Sequence, residues 1–543
     1  MKLVRGNPTS PGIAAGRAFR VQTTVAVDPL GRRVGAADDE VARLRAAVRT
    51  ASVPLAKLIA RASGPAQEIL AAQREMLDDP DLHDRAAVLI QEGARDESAV
   101  KQVVEEYASI LAALPDSYLA ARADDVREAG QRLVAALQGV SLEIDLEEPA
   151  VLVAEDLTPA QLVGARRQSV LGVAIEHGTP TGHVAIVAQG LGIPAIVGVT
   201  GLLDVVHHGD TVIVDGNTGT ITVNPASDQL QAVEEQRAAR HAQERELARY
   251  RHSPGRTADG VQIGVYANVS SLAEAQRALE MGAEGVGLFR TELLLHRGLP
   301  EEDEQVQIYA AVAATLRRPV VIRTFDIGAD KPVPGLALPD EANPFLGWRG
   351  IRLALDRSDQ LFLPQVRAIM RAAADHDIRL MLPMVTTPEE VAEARALIDR
   401  AAQDLEKRGD RFRRVLVGIM VETPAAALTL DHFVDLVDFA SVGTNDLAQY
   451  TYAVDRTNER AHKRAQPMGK AMLRLLGIIC RGSIPVAVCG QLAAEPIAIP
   501  LLVGLGVREL SVPPARVPEV KHVLATMTLR QSERCVRQAL SAS

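Results

Sequence analysis

Two carboxylates and four arginines in the C-terminal half are spaced as an anion site beside a metal would require. Glu422, in Gly418-Ile419-Met420-Val421-Glu422-Thr423-Pro424, ends one short apolar run, and Asp446, in Gly443-Thr444-Asn445-Asp446, ends the next. Carboxylates on neighbouring strand ends can share one hard cation, with water and substrate oxygens completing an octahedron, a donor set that suits magnesium (Mg2+). Taken alone, the pair could equally cap adjacent helices. Arg290 ends a further run, Arg323 lies within another, and Arg349 and Arg456 follow in later segments. A lone arginine is ordinarily a surface ion-pair partner. Four planar forks at one mouth would instead hold a phosphate and a carboxylate bidentately, which implies a substrate with two or three negative charges. Cys489, in Val486-Ala487-Val488-Cys489-Gly490, ends another run. There it is either a small core residue or the donor of a proton to a carbanion or enolate.

A second centre lies in the N-terminal half. Gly178-Thr179-Pro180-Thr181-Gly182-His183-Val184-Ala185-Ile186-Val187-Ala188 puts a histidine behind a turn and at the start of a helical run. Free N–H groups and the positive dipole end of a helix stabilise a phosphoryl group, and imidazole is nucleophilic near neutral pH. A capping or surface role is the commoner fate of such a histidine. The apolar, glycine-punctuated setting, which His177, His207 and His208 lack, favours a covalent role when an anion site exists elsewhere in the chain.

Elements must hold these residues in place. Eight short apolar runs alternate with helical patterns: 262–269, 285–291, 319–327, 378–385, 415–423, 439–447, 485–490 and 508–512. Eight such units predict a (β/α)8 TIM barrel, whose chemistry sits where the strands end. The polar residues there are Asn268, Arg290, Arg323, Asp326, Glu422, Asn445, Asp446 and Cys489. Upstream, β-branched runs at 12–21, 151–153, 170–175, 195–197 and 211–214 predict one α/β domain. A block from Ala36 to about Val140, rich in Ala, Glu, Arg, Leu and Gln, predicts helices inserted into it. A polar stretch from Gln229 to Arg251 predicts a helical linker. The expected fold class is therefore multidomain α/β.

The 543 residues carry a formal charge of −10, which argues against broad binding of nucleic acid but leaves room for a local arginine cluster. No apolar stretch is long and uncharged enough for membrane insertion. Residues Met1 to Pro8 hold no apolar signal core, and Cys480, Cys489 and Cys535 fit neither a disulfide framework nor a zinc site, so a reducing, cytoplasmic setting is expected.

Five stretches resemble Enzyme I, the phosphoenolpyruvate-dependent protein phosphotransferase family of the bacterial sugar phosphotransferase system. They are Gly287-Leu288-Phe289-Arg290-Thr291-Glu292, Arg323-Thr324-Phe325-Asp326-Ile327-Gly328, Asn343-Pro344-Phe345-Leu346-Gly347-Trp348-Arg349, Gly418 to Ala427, and Gly443-Thr444-Asn445-Asp446-Leu447. The resemblance runs from Pro11-Gly12-Ile13-Ala14 to the eighth barrel strand. It implies that His183 is phosphorylated on Nε2 by phosphoenolpyruvate. It further implies that Arg290, Arg323, Arg349, Asn445, Asp446 and Arg456 bind that substrate, that Glu422 and Asp446 hold magnesium, and that Cys489 protonates the enolate of pyruvate. The implied domains are a swivelling phosphohistidine α/β domain at 1–30 and 145–225, an inserted helical subdomain at 31–144, a helical linker at 226–258 and a barrel at 259–543. By the same resemblance the insert, with Gln67-Glu68-Ile69-Leu70 and Arg122-Ala123-Asp124-Asp125-Val126-Arg127, docks the small phosphocarrier HPr, and the barrel forms a homodimer.

Two motifs depart from the family pattern, and the histidine motif also loses a glycine, at Thr179. Gly182 stands where a serine is usual before the histidine, and Gln491 where a glutamate follows Cys-Gly. They motivate an alternative, a regulatory phosphorelay or binding protein on the same scaffold. A dikinase or synthase would need a further nucleotide-binding domain and a glycine-rich phosphate loop, which this sequence is not expected to supply.

Overall fold

The apolar runs around residues 150 and 170 are buried on both sides, as strands in the centre of a parallel sheet must be. In the computed structural model, which describes residues 2–21, 31–32, 35–62, 65–113, 117–165, 169–180, 182–295, 298–328, 333–455, 458, 461 and 466–541, they lie at the middle of a sheet. The chain forms two units, Met1–His241 and Ala242–Ser543.

The first unit holds β1 (Lys2–Arg5), β2 (Asn7–Ser10), β3 (Ile13–Arg20), β4 (Ala150–Ala154), β5 (Val170–Ile175), β6 (Ala195–Val197), β7 (Thr211–Asp215) and β8 (Thr220–Val223). Their order is β1-β8-β7-β3-β4-β5-β6-β2. From β3 to β6 neighbours pair in parallel, and the outer strands pair antiparallel. Alternation splits the sheet into two faces: Leu152, Ala154, Val173 and Ile175 enter one core, whereas Val151, Val153 and Ala174 enter the other. Sequence patterning misses β1, β2 and β8, which are four-residue strands. Among these, β2 carries Pro8, tolerated because the strand lies at a sheet edge.

Between β3 and β4 stand α1 (Ala37–Arg61), α2 (Pro65–Leu77), α3 (Pro80–Gln91), α4 (Asp96–Ala112) and α5 (Ser117–Gln138). They enclose a core of their own built on Leu44, Leu55, Leu70, Ile90, Val103 and Leu133. Gly130 lets α4 and α5 close together, since a β-carbon there would lie 2.5 Å from a Val104 methyl. After the sheet comes a polar helix, Ser227–Ala248, close to the expected linker.

The second unit is a closed barrel of eight parallel strands: β9 (Gly264–Val269), β10 (Val286–Phe289), β11 (Val320–Arg323), β12 (Ile378–Leu382), β13 (Val417–Val421), β14 (Phe439–Val442), β15 (Val486–Val488) and β16 (Glu509–Val512). Val320, Ile322, Leu380, Leu382, Ile419 and Val421 face the surrounding helices. Leu288, Val321, Met381, Met420 and Cys489 fill the interior. Full burial of each such aliphatic side chain contributes roughly 1.5–3 kcal/mol.

Each expected run holds one strand, but the strands stop earlier than the runs. Pro319 to Ile327 is strand only to Arg323; beyond it Phe325 and Ile327 are buried in a separate small core with Leu353 and Leu361. An apolar run reports burial, and burial continues after strand pairing ends. For the same reason Asp446 is not at a strand end: β14 stops at Val442, and Asp446 lies in the first turn of the helix Thr444–Tyr452.

The linker is fastened to the barrel at its far end. Lys521, only 2% exposed, donates through Nζ to the carbonyls of Ser253 (2.7 Å) and Gly282 (2.6 Å). Gly282 has a φ of +81°, and any β-carbon there would overlap the Arg251 carbonyl. The Tyr250 and His522 rings meet edge-on at 5.0 Å.

Candidate active site

At the C-terminal mouth of the barrel a cavity of about 460 Å³ is lined by Arg290, Glu292, Arg323, Asp326, Glu422, Asn445, Asp446 and Cys489, among others. Glu422 follows β13 and is 1% exposed; Asp446 is 8% exposed. The backbone N–H of Met384 donates to Glu422 Oε1 at 2.7 Å. Met384 has a φ of +57°, a left-handed conformation that costs a non-glycine residue about 1 kcal/mol. Gly443 leaves room for the carboxylate, since a β-carbon there would sit 2.7 Å from Glu422 Oε2. Burial, then the charges of Asp446 and Asp326, hold the Glu422 carboxyl well above the usual carboxylate range, with Arg323 opposing. Two buried carboxylates that repel each other are suited to a shared cation. No cluster of three or more His, Cys, Asp or Glu side chains able to hold a metal occurs among the described residues. A pair of carboxylates such as Glu422 and Asp446 suits an ion that completes its shell with water and substrate oxygens.

The arginines fall into two groups. Arg290, directly after β10, is exposed and has no ion-pair partner among the described residues. Arg323, 7% exposed, is paired with Glu292 at 2.8 Å and Asp326 at 3.3 Å. Arg349 is 1% exposed and does not line the cavity; its Nη2 reaches both oxygens of Asp326 at 3.1 Å, while Phe345 lies 5.6 Å from its guanidinium carbon. Charges thus alternate from Glu292 through Arg323 and Asp326 to Arg349. Arg456 lies outside the described residues.

Cys489 follows β15 and is 3% exposed, with its thiol 3.7 Å from the Val442 carbonyl. Burial pushes the thiol up to about 11. It therefore keeps its proton at neutral pH and suits an acid rather than a nucleophile. Asn268 donates to the Cys489 carbonyl at 3.0 Å and accepts from the Ser511 hydroxyl at 2.7 Å. Asn445 Oδ1 accepts the N–H of Gln491 at 3.0 Å. Gly490 is required sterically, because a β-carbon would fall 1.9 Å from Thr444 Oγ1.

In the first unit, His183 is the opening residue of α7 (His183–Leu191), after α6 (Pro159–Gly164). Gly182 supplies the extended N-cap, and Gly192, with a φ of +68°, ends the helix. Gly178, with a φ of +98°, makes the turn after β5 that a β-carbon would hinder. His183 Nδ1 lies 3.3 Å from Asp125 Oδ1 on α5. The Asp125 carboxylate holds the imidazole above its ordinary range, against the effect of burial. Beside it is a cavity of about 530 Å³ whose wall includes Asp124, Glu128, Asp156, Thr158 and His177.

Sequence reasoning missed Glu292, Met384 and Asp125 as site residues. Glu292 and Asp125 stood inside quoted family-like stretches, which was their only signal. For Met384 there was none, because its contribution is a backbone N–H.

A barrel whose mouth gathers carboxylates and arginines, together with a histidine at a helix start, fits one class: a multidomain phosphotransferase. Three family models cover most of the chain. They are described as PEP-utilising enzyme, N-terminal (residues 5–122), PEP-utilising enzyme, mobile domain (residues 146–219), and PEP-utilising enzyme, PEP-binding domain (residues 244–529). Phosphoenolpyruvate-protein phosphotransferase of Geobacillus stearothermophilus is 38% identical over 556 residues, which cover 99% of this chain and 96% of that protein. The protein of the same description from Staphylococcus carnosus is 35% identical over 560 residues, covering 99% and 97%. Multiphosphoryl transfer protein of Xanthomonas campestris pv. campestris is 40% identical over 556 residues, covering 98% of this chain and 65% of that longer protein. The chain belongs to the phosphoenolpyruvate-protein phosphotransferase family, Enzyme I. Among the described residues no helix is long and apolar enough to cross a membrane.

Proposed function

We propose that this phosphotransferase takes the phosphoryl group of phosphoenolpyruvate onto Nε2 of His183 and passes it to the phosphocarrier HPr. The observation that carries the reading is the barrel mouth, where the buried Glu422 and Asp446 stand beside Arg290 and Arg323 in one cavity. Magnesium held by Glu422 and Asp446 supplies charge neutralisation for the phosphate. Arg290, exposed and without an ion-pair partner, offers its fork to the incoming anion, and Arg323 and Asn445 line the same cavity. Arg349 supports the site through Asp326, and Arg456 belongs to the same set by family resemblance. The lone pair of Nε2 forms the P–N bond as the P–O bond to the enolate breaks. The Cys489 thiol then gives its proton to the enolate carbon to yield pyruvate, and solvent restores the thiol.

The domain reading follows the same lines. Residues 1–30 and 145–225 form the phosphohistidine domain, 31–144 dock HPr, 226–258 link, and 259–543 bind substrate and pair as a homodimer. His183 reaches both partners by movement of its domain, in the cytoplasm.

Incubation with phosphoenolpyruvate and magnesium tests this. Intact mass is expected to rise by one acid-labile phosphoryl group with release of pyruvate, and added HPr is expected to discharge it. A wild-type chain that gains no mass would instead support the regulatory or binding reading. Cys489→Ser is expected to slow pyruvate formation roughly 10²–10⁴-fold, measured in a pyruvate-coupled assay, with substrate affinity little changed.

A further inference from the structure

The histidine reading names Nε2 as the reacting nitrogen and leaves open what holds the ring to that choice. We infer that Asp125 is a positioning residue for His183: by engaging Nδ1 it keeps a proton there, leaves Nε2 as the nucleophile, and lets the ring depart neutral when the phosphoryl group is passed on. The inference rests on the phosphohistidine reading above and deepens it.

Asp125 is 1% exposed, and a buried carboxylate is costly unless it is paired. It has two cationic neighbours, His183 Nδ1 at 3.3 Å from Oδ1 and Arg122 Nη1 at 3.3 Å from Oδ2. Both Asp125 and Arg122 stand on α5, whereas the histidine opens α7, so tertiary packing of the insert on the sheet brings the pair together. His183 Nε2 has no hydrogen-bond or ion-pair partner among the described residues, and the side chain, 28% exposed, borders the 530 Å³ cavity. Nδ1 stands beside the carboxylate, and Nε2 has no partner among the described residues.

A carboxylate on one imidazole nitrogen fixes the tautomer with the proton on that side. When phosphoryl is passed on, the lone pair of the acceptor forms a new bond to phosphorus as the P–Nε2 bond breaks. Its electrons return to Nε2, and the ring leaves as neutral imidazole with Nδ1–H in place. Without that proton the leaving group would be an imidazolate, a far poorer one.

Other charged groups around the cleft are Asp124, Arg127 and Glu128 on α5, Glu155 and Asp156 after β4, and His177 after β5. From α2, Ala66 and Ile69 pack against the apolar cluster that holds Val184 and Val187. Asp124 reinforces the effect of Asp125 on the imidazole, and Arg122 opposes it. Because the folded state raises the histidine above its ordinary 6.5, the pair stabilises the fold most below that pH, and the contribution is lost as pH rises through the folded value.

The test is a titration of the full, unphosphorylated chain followed by ¹⁵N-imidazole NMR. Wild-type His183 is expected to titrate above 6.5 and, when neutral, to carry its proton on Nδ1. Asp125→Asn is expected to lower the midpoint, mix the tautomers, and slow phosphoryl passage roughly 10²-fold or more. Arg122→Gln, which removes the competing cation, is expected to move the midpoint the opposite way. A merely loosened site would move both variants in the same direction. Movement in the same direction, or an unchanged midpoint and tautomer in Asp125→Asn, overturns the inference. The titration needs no phosphoenolpyruvate: shifts as expected in a chain that never gains a phosphoryl group would sink the functional reading and support the positioning by Asp125.

Discussion

The His183→Ala protein is expected to take up no phosphoryl group while binding phosphoenolpyruvate and magnesium as the wild type does. The groups proposed to bind substrate lie on the barrel, in the second unit, and His183 lies in the first. The substitution removes the proposed nucleophile and leaves Asp125 paired with Arg122. Alanine is also the best helix former, so the first turn of α7 keeps its backbone. Removing a nucleophile typically costs on the order of 10⁶-fold in turnover, which places the variant below detection by intact mass. Calorimetry with phosphoenolpyruvate and magnesium should show affinity within about 1.4 kcal/mol, or tenfold, of wild type. Persistent acid-labile phosphate in this variant would assign the nucleophile elsewhere.

The second large effect belongs to Glu422→Gln. Two carboxylates buried together repel each other unless a cation lies between them, and burial alone already disfavours the charge on Glu422. The amide keeps an oxygen for the Met384 N–H but removes one of the two charged donors. Activity is expected to fall roughly 10²–10³-fold, the equivalent of several kcal/mol of lost charge stabilisation. Stability should respond in the opposite sense in the absence of metal. The variant is expected to unfold at the same temperature as the metal-free wild type or higher, because a repulsion has been removed. Magnesium at 100 times its dissociation constant stabilises a binding protein by about 2.7 kcal/mol, and the variant is expected to lose that gain. Thermal unfolding with and without magnesium reads both effects. An equal magnesium-induced rise in variant and wild type would dismiss Glu422 as a ligand.

The barrel was legible because its strands are short apolar runs in a regular alternation with helices, and because functional groups cluster where such runs stop. Arg290, Glu422 and Cys489 each follow directly on a strand. What was not legible shares one physical cause: it depends on partners far apart in the chain. The pairing of Arg323 with Glu292, and of Arg349 with Asp326, leaves Arg290 as the arginine free of an ion pair among those described, although the sequence presents all of them alike. Asp125 reads as one acid among many on a helix until packing sets it against His183. The four-residue strands β1, β2 and β8 escape detection because they are short. The edge strands β1 and β2 lack a hydrophobic alternation of their own and owe their conformation to their neighbours in the sheet, whereas β8 alternates over too few residues to stand out.

The clamp that Lys521 forms on Ser253 and Gly282, with Gly282 pressed against Arg251, has a mechanical consequence. A lever fixed at one end transmits rotation instead of absorbing it. The anchor holds the chain from Tyr250 onward, and the helix Ser227–Ala248 ends just upstream of it as a short shaft. One residue added to such a shaft turns whatever it carries by about 100° and advances it by about 1.5 Å. Its residues are mostly polar and exposed, so their kind matters less than the helical geometry they maintain.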